Sequence, residues 1–145
     1  MTKVARAHSG AAAGFTLIEL LVVLAILGLL VGLVTPQVMK YLGRARTDAA
    51  RTDIRNIESA LDLFRLDLAR YPSQQEGLAA LVEKPAGLDR WQGPYIKQRT
   101  VPTDPWGHPY IYQIPGSHGE YDLYTLGRDN APGGTGEDQD VTNWQ

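Results

Sequence analysis

Residues 14–34 read GFTLIELLVVLAILGLLVGLV, and from Phe15 to Val34 the only charge is Glu19. Wound as a helix at about 1.5 Å per residue, that run spans roughly 30 Å, the thickness of a bilayer's hydrocarbon core. The helix of a globular core carries a polar face, and this run has none. A cleavable secretory signal has a shorter apolar stretch with small residues after it. Here Ala11, Ala12, Ala13 and Gly14 come before the run, while Thr35 and Pro36 follow it, so the run stays in the mature protein. A carboxylate in hydrocarbon costs several kcal/mol unless it is paired or reaches the headgroups. Glu19 is therefore a functional candidate, with a headgroup-reaching side chain as the alternative.

The rest of the composition sets limits. The chain has 145 residues, enough for one modest domain and too few for a large multidomain enzyme. Fourteen bases against 16 acids give a net charge of −2, which argues against a nucleic-acid partner. No cysteine is present, which excludes disulfides, thiolate zinc sites and cysteine nucleophiles. Three histidines, His8, His108 and His118, are too few and too scattered for a histidine metal site. A mean hydropathy of −0.23 averages the apolar run with a polar remainder.

Helical character continues beyond the run. Ile54, Ile57, Leu61, Phe64 and Leu68 are spaced by three and four, which makes one apolar stripe on an amphipathic helix. Pro36 removes one helical hydrogen bond, and Gly28, Gly32 and Gly43 weaken the N-terminal half further. Tyr71-Pro72 ends the helix. Arg44, Glu58 and Asp62 have two readings, a solvated face or ion pairs to neighbouring subunits. Residues 72–145 are short and turn-rich. Gln75–Glu83 suits a small helix, 91–96 a loop with a strand-like end, and PTDPWGHP (102–109) a turn cluster. YIYQI (110–114) and EYDLYTL (120–126) have strand composition and flank a Pro-Gly loop, which predicts a hairpin packed on the stripe. From Glu120 to Gln145 there are six acids and one base, Arg128. Composition alone favours a solvated or disordered tail there, and no EF-hand spacing is present.

The basic leader ending in Gly14, then Phe15 and Glu19, resembles the type III signal of type IV prepilins and type II secretion pseudopilins. YPS at 71–73, QQEGLAALV, DPWG and the TLGRDN…DVTNW ending extend the resemblance over nearly the whole chain, toward the major pseudopilins. It departs at His108, where asparagine is more typical; His108 reads as a turn residue and not a ligand. The resemblance implies an α+β type IV pilin-like fold, with residues 1–14 a leader, 15–36 a transmembrane and filament-core half, 37–71 an amphipathic half and 72–145 a periplasmic lobe. It implies that a prepilin peptidase cuts between Gly14 and Phe15 and N-methylates Phe15. Glu19 would then pair with a neighbour's Phe15 amine, because no partner for it is evident within the chain. The mature 131 residues would carry a net charge of −4, two bases having left with the leader.

The resemblance further implies self-assembly into a helical filament in which the helix melts near Pro36. Minor pseudopilins, an inner-membrane platform with its ATPase (indirectly) and an outer-membrane secretin would be its partners. It places the leader in the cytoplasm and the lobe in the periplasm. Charge counting leaves this open, since Lys3 and Arg6 on one side face Lys40, Arg44 and Arg46 on the other. It also implies a calcium ion in the acidic loop, held by the Leu126 carbonyl and by Asp129, Asp138 and Asp140, with Thr135 and Glu137 as further candidates. No P-loop, G-x-S-x-G, HExxH or paired acid/base motif occurs, so the chain reads as a substrate of an enzyme and not as one. A type IV pilin for adhesion, motility or DNA uptake is the alternative, although many such pilins close the C-terminal loop with a disulfide. A membrane-tethered binding lobe is a third reading, against which Glu19 argues.

Overall fold

The structure is a computed structural model that describes residues 14–145; the rest of the leader, residues 1–13, lies outside the described residues. In chain order the elements are α1 (Leu17–Leu68), a 3-10 turn (Leu78–Leu81), β1 (Ile111–Gln113), β2 (Asp122–Thr125), a second 3-10 turn (Gly136–Asp138) and β3 (Val141–Thr142). The chain divides into two units between Met39 and Lys40.

In the N-terminal unit the described residues are the start of α1 and the three residues before it. Every large apolar side chain from Phe15 to Val34 is at least 50 % exposed. This is the one helix among the described residues long and apolar enough to cross a membrane. The helical assignment continues through Pro36 without interruption.

The second unit is built on the apolar stripe. Ile54, Ile57, Leu61 and Phe64 are buried as the spacing predicts, and Ala50 and Ala60 join them. Leu68, the last residue of the expected stripe, is only partly covered. Over this stripe lie Leu78 and Leu81, Ile96, Tyr110 and Tyr112, Leu123 and Val141. Each large apolar side chain buried this way contributes about 1.5–3 kcal/mol relative to exposure. The sheet is antiparallel in the order β1-β2-β3. Tyr112 faces Leu123, and Thr125 faces Val141, which puts buried residues opposite one another.

Four local expectations change. The helix stops at Leu68, before Tyr71-Pro72, because Ala69 takes a left-handed φ of 59° while its N–H still reaches the Arg65 carbonyl at 2.7 Å. The helix expected over 75–83 shrinks to the 3-10 turn Leu78–Leu81, since Gly77 enters with φ 55° and ψ −163°. The strand-like end of 91–96 is no strand. Tyr95 donates its N–H to Leu81 at 2.7 Å and its hydroxyl to Asp67 on α1 at 2.7 Å, and those bonds replace a ladder. The tail supplies a third strand that its composition did not announce: Val141 is buried and pairs with Thr125.

Candidate functional site

Two regions hold the residues singled out in the sequence. At the start of α1, Phe15 is 87 % exposed. Glu19 is not without a partner in its own chain. Its Oε2 accepts the Thr16 N–H at 2.8 Å and the Thr16 hydroxyl at 2.9 Å, and the Glu19 N–H points back to Thr16 Oγ1 at 3.3 Å. This reciprocal Thr-x-x-Glu arrangement is a capping box, which satisfies amides that a helix end leaves open. The pattern T-x-x-E before an apolar run could have been read directly. Among the described residues Oε1 of Glu19 has no partner.

Further along α1, Asp62 accepts the Tyr71 hydroxyl at 3.1 Å and is engaged within its own lobe. Arg44 and Glu58 form no ion pair among the described residues.

The acidic loop is folded back on itself. The Arg128 N–H reaches the Glu137 carbonyl at 2.8 Å, and the Asp140 N–H reaches the Gly133 carbonyl at 3.2 Å. Glycine is required at two close approaches. Gly127 (φ 72°) would place a Cβ 2.7 Å from the Glu137 carbonyl oxygen, and Gly134 (φ 81°) would drive one into the Asp138 carbonyl. The loop thus lays Leu126–Asp129 beside Glu137–Asp140, the two segments that carry the candidate calcium donors. The carboxylates already hold protein donors. Asp129 accepts the Ala131 N–H at 3.1 Å, Asp140 accepts the Gly133 N–H at 3.0 Å, and Asp138 accepts Arg128 Nε at 2.9 Å and a second guanidinium nitrogen at 3.0 Å. No three carboxylate or imidazole groups converge among the described residues. The segments and their oxygen chemistry fit a hard cation, but an ion gripping both oxygens of Asp138 displaces a guanidinium.

The Glu137 carboxylate, one of the further calcium candidates, turns to α1 and to the 104–108 turn. Its Oε2 accepts the Trp106 indole N–H at 3.1 Å and Arg46 at 3.2 Å, and its side chain lies over Gly43 of α1. The indole hydrogen bond is the main reason its carboxyl is held below the usual glutamate range, with Arg46 and Arg128 adding to it against partial burial. By propensity Gly43 weakens the helix; in the fold its missing Cβ is the space Glu137 fills. Trp106, Arg46 and Gly43 were not legible as loop partners, since contacts this far apart in sequence leave no periodic signal.

The turn 104–108 props the loop from beneath. The fully buried Asp104 carboxylate accepts the N–H groups of Trp106 at 3.0 Å and His108 at 2.7 Å and the Thr125 hydroxyl. A buried carboxylate needs such donors. His108 is the turn residue expected, and its Nδ1 lies 3.2 Å from the Gly127 carbonyl.

The family described as type II secretion system (T2SS), protein G, matches residues 37–144, and the prokaryotic N-terminal methylation motif matches residues 10–35. The "Type II secretion system core protein G" of Pseudomonas aeruginosa is 49 % identical over 135 residues, covering 90 % of this chain and 94 % of that protein. The protein of the same name from Vibrio cholerae is 43 % identical over 134 residues, covering 90 % of each. Among solved structures, the major pseudopilin from the type 2 secretion system of enterohaemorrhagic Escherichia coli aligns with a TM-score of 0.60 at 36 % identity, covering 73 % of this chain and 92 % of that one.

Proposed function

This chain belongs to the type II secretion system protein G family, the major pseudopilins, and from that premise we propose how its residues build a pseudopilus. It is a structural secretion subunit, and the relatives favour this over a type IV pilin for adhesion, motility or DNA uptake. The observation that carries the proposal is the helix start: a fully apolar, exposed half of α1 whose one charge, Glu19, is tied to Thr16 by a single oxygen. That surface needs lipid before assembly and other helices after it. The prepilin peptidase frees and methylates the Phe15 amine, and a neighbour's amine meets the second oxygen of Glu19, which sets register as subunits leave the inner membrane. Arg44 and Glu58 supply lobe-level pairs between subunits. The lobe faces the periplasm, minor pseudopilins start the filament, the platform and its ATPase drive it, and growth moves folded cargo toward the secretin. The chain carries no catalytic role of its own.

The test is Glu19→Ala in cells that overproduce the system. The variant is expected to insert in the membrane and be cleaved at Gly14, yet form no filaments by electron microscopy. Filaments of normal number and length would overturn the pairing.

The acidic loop binds calcium through the Leu126 carbonyl, Asp129, Asp138 and Asp140, with Thr135 and Glu137 as further candidates. Calcium supplies a flexible shell of oxygen coordination that offsets repulsion among these carboxylates. Donors brought together only by folding make binding energy part of folding energy. Chelation is expected to lower the melting temperature of the lobe, and added calcium to restore it. Identical melts in EDTA and in calcium would refute the site.

A further inference from the structure

We propose that Arg128 is the loop's own counter-cation, closing it when no divalent ion is bound and competing with that ion for Asp138. This rests on the calcium reading above. The guanidinium forks the Asp138 carboxylate with contacts of 2.9 and 3.0 Å, and a third nitrogen stands 3.9 Å from Glu137. It is the one base in a stretch from Glu120 to Gln145 that holds six acids. Its place is fixed by the backbone, because the Arg128 N–H is bonded to the Glu137 carbonyl at 2.8 Å. In sequence it lies between Leu126 and Asp129, two of the calcium donors, so a guanidinium is built into the first donor segment.

Planar bidentate pairing takes one lone pair on each oxygen of a carboxylate, on the side from which a calcium ion would grip both oxygens together. The fork and bidentate calcium coordination therefore exclude one another at Asp138. Binding has to open the fork, and the released guanidinium still leaves a positive charge within a few ångströms of the ion. Arg128 thus has opposite effects in the two states: it stabilises the ion-free loop and weakens calcium. The device sets a threshold, with the loop ordered by its own arginine at low calcium and by the ion above it.

The test uses the full chain in detergent micelles, stripped with a chelator and titrated with calcium chloride by isothermal calorimetry. Arg128→Gln removes the charge and the fork; Arg128→Lys keeps the charge without the fork. At a separation of several ångströms in a water-like dielectric, loss of the charge is expected to tighten calcium binding about ten-fold. The lysine variant is expected to fall between Gln and wild type. In chelator, Arg128→Gln is expected to melt below wild type, with unchanged near-UV circular dichroism in calcium confirming that it folds. Saturable calcium binding with equal or weaker affinity in Arg128→Gln overturns the competition while leaving the calcium site standing. No saturable binding in either protein overturns the site and the competition together. Equal melting of the two proteins in chelator overturns the counter-cation role.

Discussion

Gly43→Ala is expected to destabilise the lobe in the natural sequence and to stabilise it once Glu137 is truncated. A glycine inside a helix is less favourable than alanine by about 1 kcal/mol, so on propensity alone the change stabilises. A Cβ at position 43, however, would lie 2.7 Å from Cγ and 2.8 Å from Oε1 of Glu137. Glu137 must move, and with it go the hydrogen bonds from the Trp106 indole at 3.1 Å and from Arg46 at 3.2 Å. Hydrogen bonds to a charged group are worth about 1.5–3 kcal/mol, taken toward the low end here. Arg46 is 43 % exposed and solvent screens that pair to about 0.5 kcal/mol, so the two contacts together come to about 2 kcal/mol. The net is a loss of about 1 kcal/mol in the natural background against a gain of about 1 kcal/mol beside Glu137→Ala, a coupling near 2 kcal/mol. For a unit of roughly 100 residues this is about 4 °C down in one case and about 4 °C up in the other. The measurement is a four-protein cycle of thermal melts followed by tryptophan fluorescence, with Trp106 placed to report on the contact. Stabilisation by the same amount in both backgrounds would show that Glu137 does not rest on Gly43, and would refute the reasoning.

Two further outcomes follow from the lobe. Arg70 forks Glu76 with two contacts of 2.7 Å, and together with the Ser73 N–H this holds the Glu76 carboxyl at about 2, below its ordinary 4.5. A depressed carboxylate stabilises the fold above its unfolded value and loses that stabilisation as pH falls. The melting-temperature gap between wild type and Glu76→Gln is therefore expected to be full at pH 7 and to close between about pH 4.5 and 2; a gap constant across that range would contradict the pairing. Gly134→Ala combines a φ of 81° with a clash on the Asp138 carbonyl, and should disorder the loop at a cost of more than 1 kcal/mol, read as faster amide exchange from Arg128 to Asp140.

What the sequence made legible were the features written in local pattern. The uniform apolarity of 15–34, the three-four spacing from Ile54 to Leu68 and the strand composition around Pro115-Gly116 each reflect a period that secondary structure imposes. The helix end at Ala69 was not legible, because a left-handed alanine carries no sequence mark and Tyr71-Pro72 offered a stronger one. The strand at Val141–Thr142 was hidden for a different reason: two residues are too short to show alternation, and their pairing with Thr125 is a long-range event. Sequence alone presents the acidic loop as a list of oxygens. Its composition identified which side chains are acidic, but not that Glu137 turns to α1, that Asp138 meets Arg128, or that Asp140 folds back on Gly133.

Those destinations change what the acidity is for. Six carboxylates this dense in sequence would repel if each faced solvent as a ligand in waiting. In the fold each of the six meets a protein donor: Glu120 meets Arg65, Asp122 meets the amides of Ser117 and His118, Glu137 meets Trp106 and Arg46, and the other three are held within the loop. The loop is therefore attached at three points, to α1 through Glu137, to the 104–108 turn through Trp106 and His108, and to β2 through Gly127 and Thr125. A loop so attached cannot loosen alone. A change in how Asp138 is neutralised would reach Gly43 and Arg46 of the helix through the neighbouring Glu137, which touches both. An exchange of guanidinium for ion at Asp138 is thus expected to be felt in the segment of α1 that begins the lobe, read as altered amide exchange around Gly43 in Arg128→Gln.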